Sequence, residues 1–368
     1  HLSSNPLFQV VFVFQPQVSA SEVDWLPNQL DVHTGTAKFD LTMDLEECSE
    51  GVRGRIEYNT DLFEEATIIR MVGHYQTLLE GIVTDPEQSI SQLPLLTAQE
   101  QQQFLAWNKS PLEMCIHLLF EAQVERSPNA IAVVFEGEEL TYRELNNRAN
   151  QLAHYLRKLG VKSETLVGIC VERSLEMIVG ILGIFKAGGA YVPLDPNYPQ
   201  DRLRFMLEDA QLQVLLTQQH LRTLLPKHLS AIVRLDTEWG DIALESDRNP
   251  FNRATPNSLA YVSYTSGSTG KPKGVMLEHS GLCNLSIAQI HAFGIHSESR
   301  VLQFASLNFD ASISEIVMAL VSGATLCLGT RDTLLPGSSL RQFLQEQAIT
   351  VATLPPSVLV TLSSEQLT

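Results

Sequence analysis

The chain has 368 residues, a length that suits two or three domains. With 44% apolar and 18% charged residues it has the composition of a folded protein, which excludes a disordered or low-complexity chain. Its 25 Lys and Arg against 42 Asp and Glu leave a formal charge of −17, which argues against a nucleic-acid binder and against docking on anionic lipid, although local N–H groups and lysines could still hold a small anion.

Phe8 to Phe14 is a Val/Phe-rich run suited to a buried strand. From Ala37 to Glu46 apolar and polar residues alternate strictly, which predicts a half-exposed strand. Val52, Ile56 and Tyr58 alternate with Arg53, Arg55, Glu57 and Asn59, and Cys48-Ser49-Glu50-Gly51 closes a hairpin between the two runs. Ile68, Val72, Tyr75, Leu79 and Ile82 recur at steps of four and three, the apolar stripe of an amphipathic helix. Thr84-Asp85-Pro86 breaks that helix. The Gln-rich stretch that follows, with Phe104 and Trp107 as isolated anchors, reads as a linker whose short helix packs on one neighbour.

From residue 114 strands and helices alternate. Ile131 to Phe135 and Glu139 to Thr141 are short strands across a turn at Glu136-Gly137. Thr141-x-x-Glu144 is a capping box that opens a helix with Leu145, Ala149, Leu152, Ala153 and Leu156 on one face, stopped by Gly160. A strand at Leu166 to Val171, a buried helix from Leu175 to Lys186 ended by Gly188-Gly189, and a strand from Ala190 to Leu194 follow. Pro199 then starts a helix, and Val214 to Leu216 is strand-like. Such alternation predicts an α/β fold with a mostly parallel sheet, which binds ligands at the carboxyl ends of its strands.

The five cysteines (Cys48, Cys115, Cys170, Cys283 and Cys327) are scattered and contain no C-x-x-C pair. Neither a zinc site nor a disulfide framework is expected, and a reducing cytoplasm is the natural compartment. His33, His74, His117, His154 and His279 share no spacing with one another or with a cysteine. They read as surface or core residues, and no metal ligand is expected. The strongly apolar stretch Met177 to Phe185 is too short to span a bilayer, and no signal peptide is visible. The start at His1 and the polar end after Ser363 read as cuts out of something longer.

The chemistry concentrates in one stretch. An apolar strand from Leu259 runs into Thr265-Ser266-Gly267-Ser268-Thr269-Gly270-Lys271-Pro272-Lys273-Gly274. Glycines let backbone amides turn towards one point, while hydroxyls and two lysines add donors and positive charge, as a polyphosphate requires. Thr265 stands where a Walker A loop has its first glycine, and Pro272 follows Lys271, so a movable loop is expected in place of an immediate helix.

This stretch resembles the phosphate-binding motif of AMP-forming adenylating enzymes. Leu140-Thr141-Tyr142-Arg143-Glu144-Leu145 resembles their first core motif, Phe185 to Pro196 the second, and Phe309-Asp310-Ala311-Ser312 the fourth. Order and spacing match the adenylation domains of nonribosomal peptide synthetases over residues 114–368. Asn5-Pro6-Leu7, Phe39-Asp40-Leu41 and Ile56-Glu57-Tyr58-Asn59 resemble the carboxyl-terminal end of a condensation domain. The resemblance implies three parts: residues 1–95 ending an α+β condensation domain of the chloramphenicol-acetyltransferase type, a linker over 96–113, and the first part of an adenylation domain over 114–368.

By that resemblance the parent protein joins an amino acid to ATP, giving aminoacyl-AMP, and passes it to a phosphopantetheine thiol on a separate carrier domain. Lys271 and Lys273 would act as catalytic cations. Thr265, Ser266, Gly267, Ser268, Thr269, Gly270 and Gly274 would hold the phosphates. Asp310 would grip the α-ammonium group, with helix capping as its ordinary alternative. Ala311, Ser314 and Thr353 would line the side-chain pocket, where small residues leave room for a large, aromatic substrate. Mg2+ ligands are expected mostly beyond Thr368. The resemblance also implies that a His-His-x-x-x-Asp-Gly condensation site lies upstream, so the isolated chain is expected to be inactive. Two other readings are an acyl-CoA or aryl-acid ligase and a structural platform between domains.

Overall fold

The computed structural model describes residues 8–16, 35–107, 114–225, 231–265 and 272–362, without the side chains of 105–107. It divides into two compact units, 1–109 and 110–368.

In the first unit, β1 (Val10–Gln15), β2 (Leu41–Cys48) and β3 (Gly51–Tyr58) form a sheet in that order. β1 runs parallel to β2 from the Val10/Leu41 pair, and β2 pairs antiparallel with β3 down to Cys48/Gly51, the expected hairpin. β2 starts at Leu41 and not at Ala37, because its pairing starts there: Leu41 N–H donates to the Gln9 carbonyl at 3.2 Å, and Asn59 N–H to Asp40 at 3.0 Å. β1 is also not the buried strand that its composition suggests. Val10 is 65% and Phe12 57% exposed, since no described element covers that apolar face.

α1 (Glu65–Thr84) carries the expected stripe, with Ile68 buried and the Tyr75 ring 6.4 Å from Phe12. The segment after it folds back on the helix. A Cβ on Gly81 would lie 2.6 Å from Pro94 Cδ, and one on Gly73 3.3 Å from the Thr97 methyl. Thr97 caps α2 (Ala98–Trp107) in a box with Glu100: Glu100 N–H donates to Thr97 Oγ1 at 3.3 Å, and Thr97 N–H to Glu100 Oε2 at 2.9 Å. Glu100 also meets His74 Nε2 of α1 at 2.8 Å.

The second unit opens with α3 (Ile116–Arg126), β4 (Ile131–Phe135), β5 (Glu138–Thr141) and α4 (Tyr142–Lys158). Glu136 and Gly137, at φ 50° and 84°, make the tight turn between β4 and β5. The Thr141/Glu144 box forms as its sequence predicts, with the two reciprocal bonds at 3.2 and 2.9 Å. β6 (Leu166–Cys170), α5 (Leu175–Ala187), β7 (Ala190–Pro193), α6 (Gln200–Asp209), β8 (Val214–Thr217), β9 (Ala231–Arg234) and the short α7 (Trp239–Ile242) continue the alternation. Gly188 ends α5 in the left-handed region at φ 97°. Gly183 lets α5 approach α4, since a Cβ there would lie 2.7 Å from Leu152 Cδ2.

The chain continues through β10 (Leu259–Thr265), β11 (Lys273–Glu278), α8 (His279–Phe293), β12 (Arg300–Gln303) and α9 (Asp310–Ser322). β13 (Thr325–Leu328), α10 (Ser338–Glu346) and the short α11 (Pro356–Leu359) complete it. One sheet has the order β11-β10-β7-β6-β8-β9 and the other β12-β13-β4-β5. Both are parallel except for an antiparallel edge strand, β11 in one and β5 in the other. The α/β expectation therefore holds. α4 and α5 are the heart of the core, with Leu145, Leu152, Leu156, Ile178 and Ile181 at 0% exposure.

Candidate functional site

β10 is a central strand because residues 260–264 are buried on both faces, between β7 and β11. Its carboxyl end emerges at Thr265, which is exposed. Thr265 faces Lys273 across an antiparallel ladder, and Tyr264 faces Gly274. Lys273 and Gly274 are therefore strand residues of β11, a correction to the loop expected to run through Gly274. The ladder reaches Lys273 opposite Thr265 and runs on through Tyr264/Gly274 to Val262/Met276. A Cβ on Gly274 would lie 3.0 Å from Val262 Cγ1 and 3.3 Å from Tyr264 Cζ, so a larger residue here would press on those side chains. Tyr264 is held in turn by its hydroxyl, which donates to Asp209 Oδ2 at 2.6 Å. Ser266, Gly267, Ser268, Thr269, Gly270 and Lys271 lie outside the described residues.

Asp310 is the first residue of α9 and exposed. Phe309, not Asp310, occupies the cap position, and Ser312 Oγ donates to the Phe309 carbonyl at 2.7 Å. Among the described residues Asp310 makes no hydrogen bond or ion pair, so the capping alternative fails. The helix N-terminus favours its negative charge without engaging its oxygens. Burial first, and then the Asp310 carboxylate, push the Tyr261 hydroxyl on β10 up to about 12. The Ser263 hydroxyl, two residues before Thr265, reaches the Asn308 carbonyl, two residues before Asp310, at 3.5 Å. The loop end of the β10–β11 hairpin and the start of α9 therefore lie side by side.

Ala311 is half-buried beside Asp310. Ser314, one turn on, is 8% exposed, and its hydroxyl donates to Gln289 Oε1 of α8 at 2.6 Å. Thr353 is exposed and follows Val351, which bridges to Val301 and accepts from Leu302 N–H at 2.9 Å. That pairing sets Thr353 at the carboxyl end of β12, the end from which the chain proceeds to Asp310. No hydrogen bond joins Thr353 to Asp310, Ala311 or Ser314 among the described residues.

A cavity of about 790 Å³ opens at the carboxyl ends of strands from both sheets, lined by Arg173, Asp195, Gln303, Asn308, Arg331 and Asp332 among others. Its frame is a polar network. The buried Glu315 of α9 accepts from Gln303 Nε2 at 3.1 Å, Phe304 N–H at 3.0 Å and Ala305 N–H at 3.1 Å. Arg173 donates to Gln303 Oε1 at 2.9 Å and to the Phe304 carbonyl. Asn308 Nδ2 donates to Asp195 Oδ2 at 3.0 Å. Burial pushes the Glu315 carboxyl up to about 8, against those N–H donors and the Arg173 charge.

This network ties the loop before Asp310 to β6 and β7, and sequence reasoning missed it. Its one signal is Glu315 itself, an acid inside the apolar run Ile313 to Leu320. Sequence spacing also separated Cys115, His117 and His279, which the structure brings together. All three are buried, and their ligand atoms lie within 4.8 Å of one another. No helix among the described residues is long and apolar enough to cross a membrane.

The model of the AMP-binding enzyme family matches residues 120–368, and that of the condensation domain matches residues 1–105. Chondramide synthase cmdD of Chondromyces crocatus is 45% identical over 377 residues, which are 99% of this chain and 10% of that protein. Bacitracin synthase 3 of Bacillus licheniformis is 42% identical over 380 residues, 100% of this chain and 6% of that protein. The chain thus spans a tenth or less of the length of these relatives. A crystal structure of the nonribosomal peptide synthetase FmoA3 (S1046A), in an alpha-methyl-L-serine-AMP bound form, superposes with a TM-score of 0.71 at 26% identity, covering 96% of this chain and 41% of that one. Its AMPPNP bound form gives the same TM-score over 98% of this chain and 40% of that one.

Proposed function

Because the chain belongs to the AMP-binding enzyme family, we propose that residues 114–368 serve amino-acid activation within a nonribosomal peptide synthetase. Residues 1–95 would close a condensation domain and 96–113 would be the linker between them. The amino-acid carboxylate attacks the α-phosphorus of ATP, pyrophosphate leaves, and aminoacyl-AMP forms. A carrier-domain phosphopantetheine thiol then takes the acyl group as a thioester, and AMP departs.

One observation carries this reading: Asp310, an exposed carboxylate without a partner among the described residues, stands beside the mouth of the β10–β11 hairpin. An α-ammonium group supplies the missing partner and is drawn there by charge. Its carboxylate then points towards phosphates held at the hairpin. Thr265 and Lys273 face each other across that mouth and, with Ser266 to Gly270 and Lys271, supply donors and positive charge as pyrophosphate leaves. Gly274, opposite Tyr264 in the ladder, would add its amide at the same end of the hairpin. Ala311, Ser314 and Thr353 remain the pocket residues of this reading, which favours an aromatic side chain. Mg2+ would add its charge at the same phosphates. The reaction is one for the cytoplasm, where ATP and carrier domains are at hand.

The test is ATP–pyrophosphate exchange on the longest protein that contains this chain, screened over amino acids. A charged hydrogen bond is worth about 1.5–3 kcal/mol, so Asp310→Ala should lower kcat/KM for the amino acid roughly 10- to 100-fold with the fold intact. Unchanged exchange would remove Asp310 from the site. Lys273→Ala should lower kcat with little change in amino-acid KM. The opposite split would take Lys273 off the phosphates.

A further inference from the structure

We propose that Cys115, His117 and His279 form a buried site for Zn2+, set apart from the hairpin and Asp310. The three ligand atoms lie within 4.8 Å of one another, and the residues are 1%, 3% and 0% exposed. Thiolate and imidazole donors select a borderline-soft ion such as Zn2+ over Mg2+ or Ca2+.

Hydrogen bonding fixes the first imidazole for this task. Asn252 Oδ1 accepts from Ala254 N–H at 3.0 Å, and Asn252 Nδ2 donates to the Ala254 carbonyl at 3.1 Å, which settles the orientation of the amide. The His117 Nε2 at 3.1 Å from that Oδ1 must then be the N–H donor. The lone pair is left on Nδ1, which is buried and has no partner. A histidine that gives its other N–H to a fixed carbonyl is the usual arrangement of a metal ligand and its support.

Burial leaves His279 with less support. Neither of its ring nitrogens has a partner. Its ring instead meets the edges of His117 and Phe185, at centroid distances of 5.6 and 5.4 Å. Two buried imidazoles with three unpartnered nitrogens are costly as packing groups and apt as ligands.

Zn2+ binding displaces the Cys115 thiol proton to solvent, and the thiolate offsets one unit of the ion's charge. The nearby Lys186 ammonium is already paired with Glu121. Cys283, one helical turn after His279, keeps its Sγ on the Met114 carbonyl at 3.2 Å and is not one of the three converging donors. The consequence is structural. His279 is the first residue of α8, directly after β11, so the ion would pin the strand that carries Lys273 to the chain entering α3.

The test is metal content and Co2+ spectroscopy on the full chain. Protein from zinc-replete medium should retain about one Zn2+ per chain through gel filtration, by mass spectrometry of the metal. Replacement by Co2+ should give intense tetrahedral ligand-field bands and a thiolate-to-cobalt charge-transfer band. Cys115→Ala and His279→Ala should each lose most of the bound metal, and Cys327→Ala should keep it. The spectrum of the unaltered chain needs no variant, so a variant that fails to fold leaves the test standing. Absence of retained zinc together with absence of a Co2+ charge-transfer band would overturn the proposal. Full metal retention by Cys115→Ala would overturn it as well.

Discussion

The two units obey the same local rules and differ in what those rules achieve. In the second unit, strands and helices bury one another, and residues such as Leu152, Ile178 and Ile181 reach 0% exposure. In the first unit the sheet and α1 form just as regularly, yet among its described residues only Leu45 and Ile68 are buried. Phe12, Ile69 and Val83 are 57%, 63% and 80% exposed. Period-2 and period-3.6 patterning suffices to specify elements, whereas a core also requires a second layer over the apolar face.

The largest expected effect follows from that contrast. Leu152→Ala should cost about 2–5 kcal/mol, because it empties space between α4 and α5 that the surrounding helices cannot refill. Phe12→Ser should cost less than about 1 kcal/mol, because Phe12 has little buried area to lose. Urea midpoints of the two variants measure both. Comparable losses would mean that β1 is covered in solution and that the two units do not differ in this way.

Acid should separate the units next. The buried His117 and His279 have native values near 3 and 4, against about 6.5 unfolded, so below that value the unfolded state takes up two protons that the native state refuses. Glu315 works in the opposite direction. Its native value near 8 lies above the unfolded value of about 4.3, so between these the native state holds one proton more and loses stability as pH rises. The balance is one proton bound by the unfolded state. The second unit should weaken by about 1.4 kcal/mol per pH unit as pH falls through the range of about 5.5 to 4.5, measured with chelator present. His279→Gln should flatten that slope.

In the first unit the carboxyl of Glu100 is held down to about 2, chiefly by the Thr97 hydroxyl and N–H and then by His74. Its contribution persists above about 4.3 and is lost only as pH falls towards 2. Acid at about pH 5 should therefore loosen the second unit alone. Hydrogen exchange resolved by segment tests the order.

The elements that sequence reasoning found were those with a strong local signature. The hairpin at Cys48 to Gly51, the Thr141/Glu144 cap and the stop at Gly188 needed no distant partner. The strand β11 was missed because residues 273–278 are nearly all exposed, so burial left no periodic mark on them. Thr265, Lys273 and Asp310 enter the proposed site on motif resemblance alone. The polar frame of the neighbouring cavity was not legible, because Arg173, Asp195, Gln303 and Glu315 lie far apart in the chain and meet only through topology. The Cys115, His117 and His279 group escaped spacing rules for the same reason: two of its members stand at the start of α3 and the third at the start of α8.

The smallest effect gives the tightest control, since both units contain the same capping box. Thr97 with Glu100 starts α2, and Thr141 with Glu144 starts α4, with matching 2.9 Å bonds from the threonine N–H to the glutamate. Replacing a capping threonine by alanine costs about 1 kcal/mol where the helix is part of the cooperative fold. Thr141→Ala should lower global stability by that amount, since α4 lies in the core and cannot fray without opening it. Thr97→Ala removes the equivalent side-chain bonds but should act locally. Glu100 keeps its contact with His74, and exchange should accelerate over residues 97–104 with a smaller shift in the global urea midpoint. Equal global losses from the two replacements would show that the first unit, despite its open apolar faces, unfolds together with the second.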